Sequence, residues 1–190
     1  MILIIDNYDS FTYNLVQYVG TINENLKVIK NDTLALDAIK TMNLSHIIIS
    51  PGPGKPQDTG MCLNIINDIS PFIPTLGICL GHQAIAYQYN AKIVNSKNII
   101  HGETSVITHN NKSILFKDIP TIFNATRYHS LCIDRNFTNK DINITSWSDD
   151  NEIMSIEHKK YPIYGIQFHP ESILTEYGMQ IINNFINIVV

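Results

Sequence analysis

The chain has 190 residues, 44% of them hydrophobic and 16% charged, with a formal net charge of −4 at pH 7. That length and apolar content suit one folded domain with a sizeable core and exclude a disordered chain. The acidic balance argues against a nucleic-acid surface or an anionic-membrane surface, and no stretch approaches the roughly 20 apolar residues that a membrane span needs.

The first half reads as alternating strand and helix. Met1–Ile5 is a continuous apolar run, as expected of a strand buried on both faces. Ser10 is placed to cap a helix running to about Val19, with Phe11, Leu15, Tyr18 and Val19 on its buried side. Leu26–Ile29 and His46–Ile49 are the second and third strands, and Pro51-Gly52-Pro53-Gly54 ends the third sharply. A helix over Thr59–Asp68, a strand over Pro74–Gly77 and a helix over Leu80–Tyr89 follow. This repetition implies a mostly parallel open sheet covered by helices on both faces, a three-layer α/β fold.

The second half is β-branched and broken by turn residues such as Asn110-Asn111 and Asp149-Asp150-Asn151. Segments Ser105–Thr108, Ile122–Ala125, Ile142–Trp147, Ile153–His158 and Ile163–Gln167 are expected as antiparallel strands extending one edge of the sheet. A final helix over Thr175–Ile188 turns Ile181, Phe185 and Ile188 inward. No linker, repeat or second domain interrupts residues 1–190. The recurrent Ile and Asn are a compositional bias of the kind AT-rich genes produce, without catalytic meaning.

Cys62, Cys79 and Cys132 are too few and too widely spaced for a disulfide framework or a zinc cluster, so a reducing compartment is expected. The N-terminal run reaches Asp6 without a basic region, which does not fit a signal peptide. The expectation is a soluble protein of a bacterial cytoplasm or, if organelle-encoded, a plastid stroma.

Three segments carry chemistry. In Gly77-Ile78-Cys79-Leu80-Gly81 a strand ends and a helix begins around a cysteine flanked by glycines. This is the logic of a nucleophile elbow, with a thiol at the positive end of a helix dipole. The alternative, a buried structural thiol, suits Cys62 and Cys132 better. In Gly165-Ile166-Gln167-Phe168-His169-Pro170-Glu171 an apolar strand delivers His169 at its carboxyl end, where open α/β sheets gather ligands. Glu171 is placed to orient the imidazole, completing a Cys-His-acid triad. Ser50-Pro51-Gly52-Pro53-Gly54 reaches the same edge and offers glycine N–H groups to a developing oxyanion, although a plain turn has the same composition.

Metal chemistry fits poorly. His169-Pro170-Glu171 has the H-x-E form of the zinc deaminases, but no P-C-x-x-C follows. Cys79 and His82 have C-x-x-H spacing without a second ligand pair.

These motifs, in this order, resemble the class I (triad-type) glutamine amidotransferases, and within them the amidotransferase components of anthranilate synthase and aminodeoxychorismate synthase. The resemblance rests on Asp6–Thr12, Ser50–Gly54, Gly77–Gln83, Arg127–Leu131 and Gln167–Leu174, and it covers the whole chain. It implies that Cys79 attacks the carboxamide of L-glutamine, that His169 moves the proton and that Glu171 orients His169. It further implies an oxyanion hole from the N–H groups of Gly54 and Leu80, with Gly52 shaping the loop. Gln83 and the Ser130-Leu131 main chain would hold the amino-acid end of glutamine. No metal or cofactor is implied for this chain, Mg2+ belonging to the partner synthase.

One block departs from the pattern: His101-Gly102-Glu103 stands where the family often has His-Gly-Lys, which puts in doubt any contact assigned there. Ammonia released into water becomes protonated and loses its nucleophilicity. A chain of this size holds no visible chorismate-binding portion, so a larger chorismate-binding synthase is the expected partner, met through the Asp6–Thr12 loop and the surface near the site. Anthranilate and aminodeoxychorismate remain alternatives for the product. The competing readings are a stand-alone γ-glutamyl cysteine hydrolase and a catalytically silent regulatory subunit.

Overall fold

The computed structural model describes residues 1–189, the side chain of Ile99 excepted. Nine strands form one mixed sheet in the order β2-β1-β3-β4-β9-β8-β7-β5-β6. Five of them, β1 (Ile2–Asp6), β2 (Leu26–Lys30), β3 (His46–Ile49), β4 (Thr75–Ile78) and β9 (Ile163–Ile166), pair in parallel. The others, β5 (Ile93–His109), β6 (Ile122–Ile133), β7 (Ile142–Ser148) and β8 (Ile153–His158), form an antiparallel extension. Five α-helices occur among the described residues, α1 (Thr12–Ile22), α2 (Leu36–Lys40), α3 (Cys62–Asp68), α4 (Leu80–Gln88) and α5 (Gly178–Ile186), with short 3-10 turns at Pro56–Asp58 and Ile114–Phe116. No helix among the described residues is long and apolar enough to cross a membrane.

The central strands are apolar throughout because both faces are covered. Successive side chains of a strand point to opposite faces, so one run feeds two cores. Leu3 and Ile5 pack with Ile47, Ile49 and residues of α2, α3 and α4. Ile2 and Ile4 pack with Ile48, Leu76 and Ile78 against Leu15 and Val19 of α1 and Ile181, Ile182 and Phe185 of α5. At about 25 cal/mol per Å² of apolar surface removed from water, this two-sided burial is the main favourable contribution to folding.

Several expectations change. The segment expected as a fifth antiparallel strand, Ile163–Gln167, becomes β9, which runs parallel to β4 and antiparallel to β8. It joins the two halves of the sheet. Ser105–Thr108 lies inside the 17-residue β5, and Ile122–Ala125 opens the 12-residue β6. The register of β5 on β6 shifts between Asn95 and Ile100 and again between His101 and Glu103, so bulges flank the pairing of Ile100 and His101 with His129 and Tyr128.

Ser10 does not cap α1. The loop before that helix is held by carboxylates instead: Asp9 accepts from the Phe11 N–H at 2.8 Å and Asp6 accepts from the Thr12 hydroxyl at 2.9 Å. Of the four side chains expected on the inner face, Leu15 and Val19 are buried, Tyr18 is half-buried and Phe11 is exposed. The last helix starts at Gly178 rather than Thr175 and ends at Ile186, leaving Ile188 half-buried beyond it. Thr175 has another task, described below. Helix α2 was not read from the sequence, since its five residues bury only Ile39.

Candidate active site

The turn between β4 and α4 places Cys79 at φ 50° and ψ −100°, a conformation that L residues rarely hold. Close packing imposes it. A Cβ on Gly77 would meet the His82 main-chain nitrogen at 2.7 Å, and one on Gly81 would meet the Ile49 side chain at 3.0 Å. The helix therefore presses directly against β3 and β4, and the chain between strand and helix has room only for a sharp elbow. The Cys79 N–H donates to the Ile166 carbonyl at 2.8 Å, which anchors the elbow to β9.

Beyond β9 the chain turns through His169 and Glu171, both buried. His169 Nδ1 lies 2.6 Å from Glu171 Oε1. The turn is braced on β6: the His169 N–H donates to the Thr126 carbonyl at 3.0 Å, and the Thr175 hydroxyl donates to the His169 carbonyl at 2.6 Å while accepting from the Thr126 N–H at 3.0 Å. With Nδ1 occupied, Nε2 makes no hydrogen bond. The His169 pKa lies well above the ordinary value: burial opposes the cation, but the Cys79 sulfur and the Glu171 carboxylate outweigh it.

The expected glutamine residues meet in one cavity. Gly52, Gly54, Leu80, Gln83, Ser130 and Leu131 line a pocket of about 200 Å³ together with Cys79, Pro53, Tyr128 and His129. The Ser50–Gly54 loop is fixed by Asn7, whose N–H donates to Ser50 Oγ at 2.9 Å and whose Nδ2 donates to the Ser50 carbonyl at 2.8 Å. Gln83 Nε2 donates to the Leu131 carbonyl at 2.8 Å and to Gln167 Oε1 at 3.1 Å, and Gln167 Nε2 reaches Cys79 Sγ at 3.5 Å. Gln167 was missed as a site residue. Its signal was its place one residue past an apolar strand that ends at a catalytic-type histidine.

Tyr128 was also missed. Its ring sits edge-on to His169 with centroids 5.1 Å apart and lies 5.4 Å from Phe11. A second cavity of about 320 Å³ opens on the far side of His169, lined by Phe11, Tyr18, Tyr128, Glu171 and Ile173 among others. Phe11, from the loop before α1, forms part of its wall. Burial raises the Asp9 pKa, which also feels the His169 and Glu171 charges.

The other two cysteines are buried within packing, and burial pushes both thiols up to about 12, far from thiolate chemistry. His82 is fully buried beneath the elbow, held neutral by burial with a pKa of about 3. No group of three or more metal-ligating side chains occurs among the described residues.

Fold and side chains together define an α/β protein with a cysteine at a strained elbow and a histidine–glutamate pair in the turn just beyond the neighbouring strand. The family description "Glutamine amidotransferase class-I" matches residues 3–189. Anthranilate synthase component 2 of Cyanophora paradoxa is 50% identical over 188 residues, covering 98% of both chains. The aminodeoxychorismate/anthranilate synthase component 2 of Bacillus subtilis is 44% identical over 98% of this chain and 95% of that one. The bifunctional protein TrpGD of Thermotoga maritima is 47% identical over 98% of this chain, which spans about a third of its length (32%). Among solved structures, a putative GMP synthase protein from Thermoplasma acidophilum superposes with a TM-score of 0.85 at 26% identity, covering 97% of this chain and 91% of that one. The chain belongs to the class-I glutamine amidotransferases.

Proposed function

We propose that this chain is the glutaminase component of anthranilate synthase, hydrolysing L-glutamine and passing ammonia to a chorismate-using synthase. The observation that carries the reading is the single cavity in which Cys79 meets all six residues assigned to glutamine, with the His169–Glu171 pair adjoining.

In this reaction Cys79 Sγ attacks the side-chain carboxamide carbon while His169 Nε2 takes the thiol proton. The N–H groups of Gly54 and Leu80 stabilise the oxyanion, where preorganised donors contribute most. His169 returns the proton to the departing nitrogen, the carbon–nitrogen bond breaks, and ammonia leaves a γ-glutamyl thioester on Cys79. Water then attacks the thioester with His169 as base, releasing glutamate and restoring the thiol. Glu171 holds the Nδ1–H and stabilises the imidazolium. The Gln83 side chain and the Ser130-Leu131 main chain orient the amino-acid end of the substrate. The mechanism calls on no metal or cofactor in this chain.

The partner surface in this reading runs over the Asp6–Thr12 loop and the edge beside His169, where Tyr8, Phe11, Ile173 and Leu174 are exposed. The three unpaired cysteines suit a reducing compartment, a bacterial cytoplasm or a plastid stroma. The Bacillus relative bears both product names, which supports aminodeoxychorismate synthesis as the second reading.

The test pairs the Cys79→Ala variant with the synthase captured from the native source. Glutamine-dependent product is lost and ammonia-dependent product remains. Glutamine-dependent synthesis surviving in that variant refutes the assignment. The product made from chorismate separates the two synthases, and glutamine hydrolysis indifferent to the synthase favours a stand-alone hydrolase.

A further inference from the structure

Arg127 is the largest fully buried side chain in the protein, and the reaction just described makes no use of it. Its guanidinium lies between β5, β6 and the β7–β8 turn. Nη2 pairs with Glu152 Oε2, and Nη1 donates to Asp150 Oδ1 at 3.1 Å and Ser105 Oγ at 3.2 Å. Glu152 is itself saturated, its Oε1 accepting from Ser96 Oγ at 2.6 Å and the Lys97 N–H at 2.8 Å. A further donor, Nε, points along the strand to His129 Nε2 at 2.9 Å.

That bond decides which imidazole nitrogen carries the proton. A guanidinium only donates, so His129 Nε2 must accept, and the ring proton is confined to Nδ1. Nδ1 lies 3.1 Å from the Leu131 carbonyl, the acceptor that Gln83 also holds. A continuous chain of contacts thus runs from the Glu152 carboxylate through Arg127, His129, the Leu131 carbonyl, Gln83 and Gln167 to Cys79.

We infer that Arg127 is a positioning residue for glutamine binding: by occupying His129 Nε2 it enforces the Nδ1–H tautomer that pins the Leu131 carbonyl, and with it the Ser130-Leu131 main chain lining the pocket. The inference rests on the glutaminase reading for its kinetic consequence and on the geometry alone for the tautomer.

Four groups face the ring. Arg127 comes from its own strand, Glu152 from the β7–β8 turn at 4.0 Å, His82 from α4 and His169 from beyond β9. Burial first, then the Arg127 charge, holds His129 down to about 3, so the tautomer persists across the working pH range. Without Arg127 only the Leu131 carbonyl, already shared with Gln83, favours a proton on Nδ1, and the bond that excludes the other tautomer is gone.

The experiment has two arms. In the wild-type protein, 15N NMR of the imidazoles shows His129 protonated on Nδ1 alone, with no titration down to pH 5. A proton on Nε2 overturns the inference whatever the variants do. The second arm is the triple variant Arg127→Met, Glu152→Met and Asp150→Asn, because removing one member of a buried charge cluster leaves an unmatched charge, whereas neutral replacement of all its members is often tolerated. In the complex with the synthase, its KM for glutamine rises about tenfold or more while kcat stays within about threefold, the mark of lost ground-state binding. Its His129 spectrum loses the single Nδ1–H form. An unchanged KM, or a fall in kcat alone, refutes the positioning role. Absence of glutamine turnover in the wild type defeats the functional reading instead and leaves the tautomer result standing.

Discussion

The strained elbow gives a prediction whose sign is opposite to ordinary expectation. Compare Cys79→Gly with Cys79→Ala. Both variants lack the thiol, so catalysis does not separate them. In an unstrained position alanine is the more stable by about 0.5–1 kcal/mol, since glycine loses more backbone freedom on folding. At φ 50° and ψ −100° the alanine Cβ retains the conformational strain, which for such sparsely populated backbone is of order 1–3 kcal/mol. Taking about 2.5 kcal/mol for strain and about 1.5 kcal/mol for the entropy of glycine and the buried methyl together leaves roughly 1 kcal/mol in favour of glycine. For a chain of this size that is a rise of about 2–4 °C in the unfolding midpoint of Cys79→Gly over Cys79→Ala. Thermal and urea unfolding of the two purified variants, side by side, measure it. An alanine variant equal to or more stable than the glycine variant refutes the claim that packing of Gly77 and Gly81 stores strain at Cys79.

Two further perturbations probe the support beneath the site. His82 is buried with neither ring nitrogen hydrogen-bonded and a pKa near 3, below that of the unfolded chain. The unfolded state therefore binds the proton first as pH falls: the stability contribution is full above about pH 6.5 and declines toward pH 3, by about 1.4 kcal/mol per unit. His82→Leu flattens this decline, which urea midpoints at pH 7 and pH 5 report; equal slopes in variant and wild type would falsify it. Gly165→Ala puts a Cβ 2.7 Å from His82 Nδ1 and 3.2 Å from Ile156. Because β9 leads into the turn that holds His169 and α4 follows Cys79, separating them costs about 1–3 kcal/mol of stability and glutamine turnover with it. Wild-type stability and turnover in Gly165→Ala would show that this contact is not tight.

What the sequence disclosed depended on whether a feature was local. The Gly77–Gly81 elbow, the Pro51–Gly54 break and the apolar strands β1 and β3 each carry their instruction within a few residues, and a chain-order reading finds them. Strand direction is different. Ile163–Ile166 looks alike whether it runs with its neighbour or against it, and only the position of β4 beside it makes it parallel. The 17 residues of β5 include Asn95, Ser96, Lys97 and Asn98, which read as loop until their partners on β6 and Glu152 are seen. Ser10 is a good capping residue by type, yet carboxylates at positions 6 and 9 hold that loop, and Phe11 is turned outward toward Tyr128. The Cys79, His169 and Glu171 positions were legible because each follows the end of a strand. The buried Arg127–Glu152 pair was not, since a single arginine in a strand rich in polar residues gives no sign of burial until a carboxylate from 25 positions away meets it.

Cys79 and His169 lie 90 positions apart in sequence, yet one short ladder sets their separation. Strands β4 and β9 are direct neighbours over Thr75–Ile163 to Ile78–Ile166, and the two functional side chains emerge just beyond that ladder. The strands β5 to β8 between them are a detour whose contour length does not enter the distance. Residues added at the Asn110-Asn111 or Asp149–Asn151 turns leave the pair in place, whereas a slip of one residue between β4 and β9 displaces the histidine by about 3.3 Å and sends its side chain to the opposite face. In this fold the Cys79–His169 spacing tolerates insertion at those two turns but not in the four-residue overlap that measures it.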